Sequence, residues 1–194
     1  MPDHDSLLKK WNLRHGDLAH QPRAAEVLKQ NRHLLPARGL ALDLACGLGG
    51  NALLMAKTGL EVTAWDLSPV AIARLQELAE AHQLPNLKPE TRDLSADPLP
   101  PETFVVIAVS YFLDRALIPS MIVSLKSGGL LLYQTFTRIS VTELGPSNPA
   151  YRLADNELLE LCRPLRLRYY REENLLGDLS RGTRDVAMLV GEKS

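Results

Sequence analysis

One stretch decides the fold of this chain: LALDLACGLGGNALLMAK, residues 40–57. It opens with a short apolar run, which is typical of a parallel strand buried on both faces, and then breaks at Gly47, Gly49 and Gly50. A helix-forming run follows and ends at Thr58-Gly59. Glycines let backbone N–H groups approach a ligand, and the helix after them offers its positive end. The stretch therefore predicts a strand, a ligand-binding turn and a helix.

The rest of the chain continues this alternation. Further strands are predicted at 61–65, 87–91, 104–109, 130–136, 165–170 and 184–190. Helices are predicted at 5–13, 22–35, 51–57, 69–82, 113–125 and 155–162. Ser68 is the expected N-cap of the fourth helix, with Pro69 in its first turn, and Pro119 is expected to kink or split the fifth. Strands that alternate with helices pair in parallel, whereas two late strands joined by a loop pair antiparallel at an edge.

Composition limits the possible classes of function. A chain of 194 residues has room for one α/β domain, and its net charge of −1 gives no positive field that would attract nucleic acid. No apolar run approaches the ~20 residues that cross a bilayer, and the first five residues, MPDHD, do not resemble a signal peptide. The two cysteines and five histidines are scattered, without metal-ligand spacing. We therefore expect a cytoplasmic protein with no metal and with no nucleic-acid or membrane partner.

Two acidic residues indicate the kind of ligand. Asp43 lies at the glycine turn, and Asp66 ends the next predicted strand, where an acid accepts hydrogen bonds from ribose hydroxyls in nucleotide-binding folds. A pyrophosphate would be repelled by Asp43, whereas the ammonium of a methionine moiety would be attracted. The third glycine of G-x-G-x-x-G is also missing. The negative charge of Asp43 thus favours S-adenosylmethionine over a dinucleotide as the ligand. Two structural alternatives stay open: Asp43 could form the turn, and Asp66 could be an acid at the start of the next helix.

The motif DLACGLGGNA, residues 43–52, resembles the first motif of class I S-adenosylmethionine-dependent methyltransferases. Within that class the chain is similar to the tellurite-resistance methyltransferase branch. The similarity extends to WNLR at 11–14, WDLS at 65–68, RDL at 92–94 and GPSNPAY at 145–151. The resemblance implies an α/β fold, Rossmann-like and doubly wound, with a mostly parallel seven-stranded sheet, an antiparallel edge strand and N-terminal helices. Residues 1–194 would form a single methyltransferase domain, with 1–38 as a helical lid and 39–194 as the core.

Carried over residue by residue, the resemblance implies roles for both halves of a site. Asp43 would hold the methionine ammonium and Asp66 the ribose. The other implied cofactor contacts are Ala45, Gly47, Gly49, Leu67, Asp93, Leu94 and Ser110, with Trp11 and Arg14 closing over from the lid. Ser110 and Tyr111 would border the methyl group and the acceptor as the catalytic pair. His15 replaces a tyrosine that is usual in the branch, and Val105 replaces a frequent acid.

The acceptor is less defined by the sequence. We expect a small molecule, and the lack of a clear general base near Ser110 and Tyr111 favours a soft nucleophile such as a thiol or a selenium or tellurium oxyanion. An NAD-dependent oxidoreductase and a non-catalytic S-adenosylmethionine-binding regulator are the alternatives. A late series of arginines fits either the solvated face of an edge strand or a rim that attracts anions: Arg163, Arg166, Arg168 and Arg171.

Overall fold

The computed structural model describes residues 4–17 and 19–194, so Met1, Pro2, Asp3 and Leu18 of the predicted lid lie outside the described residues. The helices are α1 (His4–Gly16), α2 (Glu26–Gln30), α3 (Gly50–Lys57), α4 (Pro69–Ala81), α5 (Ile118–Ser124) and α6 (Glu157–Leu161). The strands are β1 (Leu40–Leu44), β2 (Glu61–Asp66), β3 (Leu87–Thr91), β4 (Phe104–Ser110), β5 (Leu125–Phe136), β6 (Arg166–Glu172) and β7 (Val186–Glu192). Within these ranges no helix has the length and apolar character needed to cross a bilayer.

All seven strands join one sheet in the order β3-β2-β1-β4-β5-β7-β6. The first five pair in parallel, and β7 runs antiparallel to both β5 and β6. The predicted doubly wound, mostly parallel sheet of seven strands is confirmed. The predicted antiparallel pair at an edge is confirmed as well: β6 is the edge strand and pairs antiparallel with β7.

Helices cover both faces of the sheet, and the central strands are therefore apolar on both sides. On β4, Val106 and Ala108 face the core formed with α2, α3 and α4. Ile107 and Val109, which alternate with them, face the core formed with α5 and α6. Side chains of successive strand residues point to opposite faces, which explains why the central strands read as continuous apolar runs in the sequence.

The second predicted helix is much shorter than expected. The sequence predicts it from Pro22 to Leu35, but α2 spans Glu26–Gln30 and a 3₁₀ turn follows at Arg32–Leu34. Ala25 is extended, with φ −65° and ψ 149°, and its N–H donates to the Asn51 side chain at 2.8 Å. A tertiary hydrogen bond thus replaces the helical one that this N–H would otherwise make.

The expected helix over 113–125 is also shorter. It begins at Ile118, and Pro119 lies in its first turn, where the missing N–H costs nothing, so the predicted kink was wrong. The fifth strand starts at Leu125 rather than 130, because Leu125 already pairs with Phe104 before the register shifts. The predicted N-cap at Ser68 is confirmed: its hydroxyl accepts from the N–H of Ala71 at 3.2 Å.

Parallel strands end at the same edge of a sheet, and this edge collects the predicted site residues. Asp43, Asp66 and Ser110 lie at or near the carboxyl ends of β1, β2 and β4. Two long connections, residues 137–156 and 173–185, lie at the same edge after β5 and β6. They are joined through Asp185, whose carboxylate accepts from the backbone N–H groups of Val141 and Thr142. This is the edge at which open α/β sheets bind ligands.

Candidate active site at the carboxyl edge of the sheet

The glycine turn between β1 and α3 is packed tightly on both sides. Gly47 and Gly49 have φ values of 52° and 75°, and Ala45 is left-handed too, with φ 53°. A Cβ at Gly49 would overlap the side chain of Leu75 on α4, so this glycine is required by packing as well as by its φ. The backbone of the turn therefore has one conformation fixed by the helices around it, which gives backbone N–H groups fixed directions.

Asp43 is buried at the end of β1, with 1% of its surface exposed. Its carboxylate accepts from the N–H of Ala52 at 2.9 Å and from the amide of Asn51 at 3.3 Å, both in the first turn of α3. Burial raises the pKa of Asp43 from 3.8 to about 7; the two hydrogen bonds oppose that rise, and the nearby charge of Asp66 adds to it. The acid at the turn is therefore poised between its charged and neutral forms near neutral pH.

Asp66 links the glycine turn to the next helix. It is 8% exposed, and its two carboxylate oxygens accept from the N–H of Gly47 at 2.7 Å and from the N–H of Ser68 at 2.8 Å. Leu67, half-buried, lies between this acid and the start of α4. Among residues 4–17 and 19–194, neither Asp43 nor Asp66 forms an ion pair with a lysine or arginine. Buried carboxylates without a cationic partner are costly, and a cationic ligand would offset that cost.

Helix α1 lies over the glycine turn. The imidazole of His15 lies against Gly47, 3.2 Å from the point where a Cβ would stand, and it stacks on Trp11 with ring centroids 5.7 Å apart. Burial lowers the pKa of His15. Arg14 is exposed, with its guanidinium 5.8 Å from the centre of the Trp11 ring. The structure thus brings Trp11 and His15 to the turn, whereas Arg14 lies on the outer side of Trp11.

Helix α1 is fixed to α4 by polar contacts. Ser68 donates its hydroxyl to the side chain of Asn12 at 2.7 Å. Arg74 donates to the carbonyls of His15, Asp17 and His20 at 2.6, 3.0 and 3.1 Å. These contacts cover the end of α1, where helical carbonyls have no partner of their own.

The predicted catalytic pair, Ser110 and Tyr111, lies at the carboxyl end of β4. Ser110 ends β4, and its hydroxyl accepts from the Asn51 amide at 3.0 Å. Tyr111 follows in the left-handed region with φ 57°, is 50% exposed, and packs its ring against Phe136 with centroids 5.0 Å apart. Its hydroxyl accepts from the Gln134 amide at 2.8 Å, and burial raises its pKa. A strained backbone that presents a half-exposed aromatic ring is typical of a functional position.

The predicted adenine contacts lie farther out on the edge. Asp93 and Leu94 follow β3, and both are half-buried. The Asp93 carboxylate accepts from the N–H and the hydroxyl of Ser95 at 2.9 and 2.7 Å, which is the geometry of an Asx turn. Leu94 packs against the core on the α5 side. Asp93 thus makes a local turn-forming contact at the position where the resemblance implies a contact with adenine.

Three residues that build the site were assigned no individual role from the sequence. Gly50 is needed because a Cβ there would overlap the backbone of Arg23. Asn51 and Gln134, 4% and 1% exposed, each hold the N-terminal segment: Asn51 accepts from the N–H of Ala25 at 2.8 Å, and Gln134 from the N–H of Val27 at 2.9 Å. A glutamine inside the apolar run LLLYQTF was the available signal, because a buried amide requires partners.

Two of the four arginines in the late series form ion pairs with glutamates. Arg168 on the edge strand pairs with Glu192 at 2.5 Å, and Arg171 pairs with Glu173. Arg166 is exposed at the start of the strand. These contacts agree with the solvated face of an edge strand. Within the described part of the chain, no group of three or more histidine, cysteine, aspartate or glutamate side chains is placed to hold a metal ion.

The order of the sheet, with Asp43 and Asp66 at its carboxyl edge, defines the class of fold as a Rossmann-like, doubly wound α/β domain. The structure matches that of an S-adenosylmethionine-dependent methyltransferase from Aquifex aeolicus with a TM-score of 0.69 over 100% of both chains, at 16% identity. It matches TehB from Haemophilus influenzae with a TM-score of 0.69 over 96% of this chain and 67% of that chain, at 24% identity. These two likenesses show the fold.

The chain belongs to the TehB family, because the family described as "Tellurite resistance protein TehB" matches residues 6–183. A probable S-adenosyl-L-methionine-dependent methyltransferase TehB from Haemophilus influenzae is 30% identical over 184 residues, which cover 90% of this chain and 59% of that protein. A ubiquinone biosynthesis O-methyltransferase from Xanthomonas euvesicatoria is 32% identical over 127 residues, covering 62% of this chain and 52% of the relative. The chain therefore spans less than two thirds of the length of these curated relatives.

Proposed function

We propose that this protein transfers the methyl group of S-adenosylmethionine to a small-molecule acceptor, with a soft nucleophile such as a thiol or a selenium or tellurium oxyanion preferred. One observation carries the proposal. Asp43 and Asp66 lie near the carboxyl ends of adjacent parallel strands, both are buried, and among the described residues neither has a lysine or arginine partner. A ligand with an ammonium group and a ribose diol fits these two carboxylates, whereas a pyrophosphate does not.

The residues present support the binding of this cofactor. Asp43 would face the ammonium and Asp66 the ribose, while Leu67 would lie against the adenine. Asp93 and the N–H of Leu94 would meet the adenine edge. Further contacts would come from Ala45, Gly47, Gly49 and Ser110, with Trp11 and Arg14 covering the site as part of a lid formed by residues 1–38. The sulfonium of S-adenosylmethionine supplies an activated methyl group when it is bound.

The surroundings of Tyr111, on the acceptor side of the site, favour a nucleophile that reacts without a strong general base. Tyr111 has a pKa raised by burial, so it stays protonated at neutral pH and its ring acts mainly as a wall. The charged residues that act on it are Glu26 and Lys29, which pair with each other at 2.7 Å. Because the Glu26 carboxylate is paired with Lys29, it is not available as a general base. The site would then act mainly by aligning the acceptor, the methyl group and the sulfur, and a thiolate or a similar soft nucleophile reacts without proton removal.

Calorimetry with S-adenosylmethionine and S-adenosylhomocysteine tests the cofactor assignment. Asp66→Ala is expected to weaken binding by about tenfold or more, as loss of a charged hydrogen-bond acceptor does. Asp66→Asn keeps an acceptor for one of the two N–H groups of Gly47 and Ser68 and is the variant to use if the alanine form unfolds. Glu61→Ala, exposed at the opposite end of β2, is the matched control and should bind as the wild type does. Unchanged affinity in folded Asp66 variants would overturn the assignment.

A screen of acceptors tests turnover. Tellurite, selenite, small thiols and a panel of metabolites are offered with S-adenosylmethionine, and release of S-adenosylhomocysteine is measured. We expect release with at least one soft acceptor and loss of rate in Tyr111→Ala. Tight cofactor binding without release for any acceptor would instead support the regulator. Binding of NADH, followed by its fluorescence, without binding of S-adenosylmethionine would support the oxidoreductase.

A further inference from the structure

Asn51 joins three parts of the site that are distant in sequence. Its amide nitrogen donates to the hydroxyl of Ser110 at 3.0 Å and to the carboxylate of Asp43 at 3.3 Å. Its amide oxygen accepts from the N–H of Ala25 at 2.8 Å. The side chain is 4% exposed, so these contacts are made away from solvent. One buried amide thus connects the cofactor-side acid, the acceptor-side serine and the N-terminal segment.

The three contacts require a side chain that both donates and accepts hydrogen bonds. Gly50 lets the backbone of Arg23 lie across the first turn of α3, and this brings the N–H of Ala25 to the oxygen of Asn51. Only an amide of this length offers two donor hydrogens and an acceptor together: aspartate lacks the donors and leucine lacks both. The spatial arrangement, rather than helix propensity, therefore selects asparagine here.

The charges around Asp43 give this contact an electrostatic consequence. Asp66 on the neighbouring strand disfavours the charged form of Asp43, and Cys46 in the turn is neutral because burial raises its pKa well above 9.0. His15, from α1, faces Asp66. The groups that favour the charged carboxylate of Asp43 are the Asn51 amide and the N–H of Ala52. Loss of the amide donor therefore shifts Asp43 toward its protonated form.

We propose that Asn51 is a positioning residue that orients the charged form of Asp43 toward the cofactor's ammonium and, through the same amide group, fixes the Ser110 hydroxyl at the acceptor side. The proposal rests on the proposed function for the identity of the ligand. The predicted effect of Asn51 on the ionisation of Asp43 is a property of the free protein and can be measured without any ligand.

The first test is the titration of Asp43 in the free protein. The observable is the resonance of its carboxyl carbon, which is assigned by comparison with Asp43→Asn. In Asn51→Leu the midpoint is expected to rise by about one pH unit or more, as loss of a buried charge-stabilising donor does. Asn86→Leu is the matched control, because its amide donates to the carbonyls of Ala56 and Leu60 at 2.9 and 2.8 Å, next to β3 and away from the site. It should destabilise the fold without moving the Asp43 midpoint.

The second test is cofactor affinity as a function of pH. In Asn51→Leu, S-adenosylmethionine is expected to bind at least about tenfold more weakly than in the wild type at pH 7, and this ratio to the wild type should narrow at pH 9 as Asp43 ionises in the variant. Asn51→Ser, which removes both amide donors with a smaller change in packing, replaces the leucine variant if that variant does not fold. An Asp43 midpoint unchanged in either folded variant would overturn the proposal. Failure of the wild type to bind the cofactor would instead overturn the proposed function.

Discussion

Replacing Asp43 by asparagine is expected to make the protein more stable at pH 8 than the wild type, and the difference should shrink as the pH falls. The wild-type carboxyl has its pKa raised from 3.8 to about 7, chiefly by burial. Between these two values the folded protein holds a proton that the unfolded chain has released. The folded state therefore binds more protons, and stability falls as the pH rises through this window.

The size of the effect follows from the same values. A difference of roughly 3 pKa units corresponds to about 4 kcal/mol over the whole window, and about 2 to 3 kcal/mol of it falls between pH 5 and pH 8. Asparagine keeps an oxygen that can accept from the N–H of Ala52. Any constant cost of placing its NH₂ group near Asn51 is the same at every pH, so the dependence on pH carries the test.

The assay is denaturant unfolding from pH 5 to pH 8, followed by circular dichroism. The free energy of unfolding of Asp43→Asn minus that of the wild type should increase across this range. Asp5→Asn, at an exposed position in the first turn of α1, controls for the loss of one carboxylate and should follow the wild-type profile. Parallel pH profiles for the wild type and Asp43→Asn would refute the inference that burial near the end of β1 raises the pKa of Asp43.

Three further variants test packing and polar contacts by denaturant unfolding. Gly49→Ala should lose about 2 kcal/mol or more, since its φ is 75° and its Cβ would overlap Leu75; stability equal to the wild type would contradict this. Arg152→Met should lower the free energy of unfolding by about 3 kcal/mol and expose residues 138–148 to protease, because the buried guanidinium donates to the carbonyls of residues 137, 144 and 146. Protease resistance equal to that of the wild type would count against this prediction. Tyr111→Phe should lose about 1 kcal/mol, because the buried Gln134 amide loses its acceptor, and no change would mean that water replaces the hydroxyl.

The sequence by itself determined the order of the strands and helices along the chain and the location of the candidate site residues. Strand periodicity and glycine conformation are local properties, so the run from Leu40 to the glycine turn and the cap at Ser68 could be predicted from their neighbours. The end of a strand is also visible locally, and this placed Asp43 and Asp66 at one edge before any contact was known. The boundaries of β3 agree with the prediction for the same reason.

Tertiary structure alone decided where α2 and β5 begin and which polar groups meet. The chain before Glu26 stays extended because Ala25 bonds to Asn51, and β5 extends back to Leu125 because Phe104 offers it a partner. The network around Asn51 includes a hydrogen bond between residues 59 positions apart, and no local pattern specifies such a contact. Side-chain amides bond to whatever the packed fold brings within reach, and burial then fixes the balance of charge on the acid beside them.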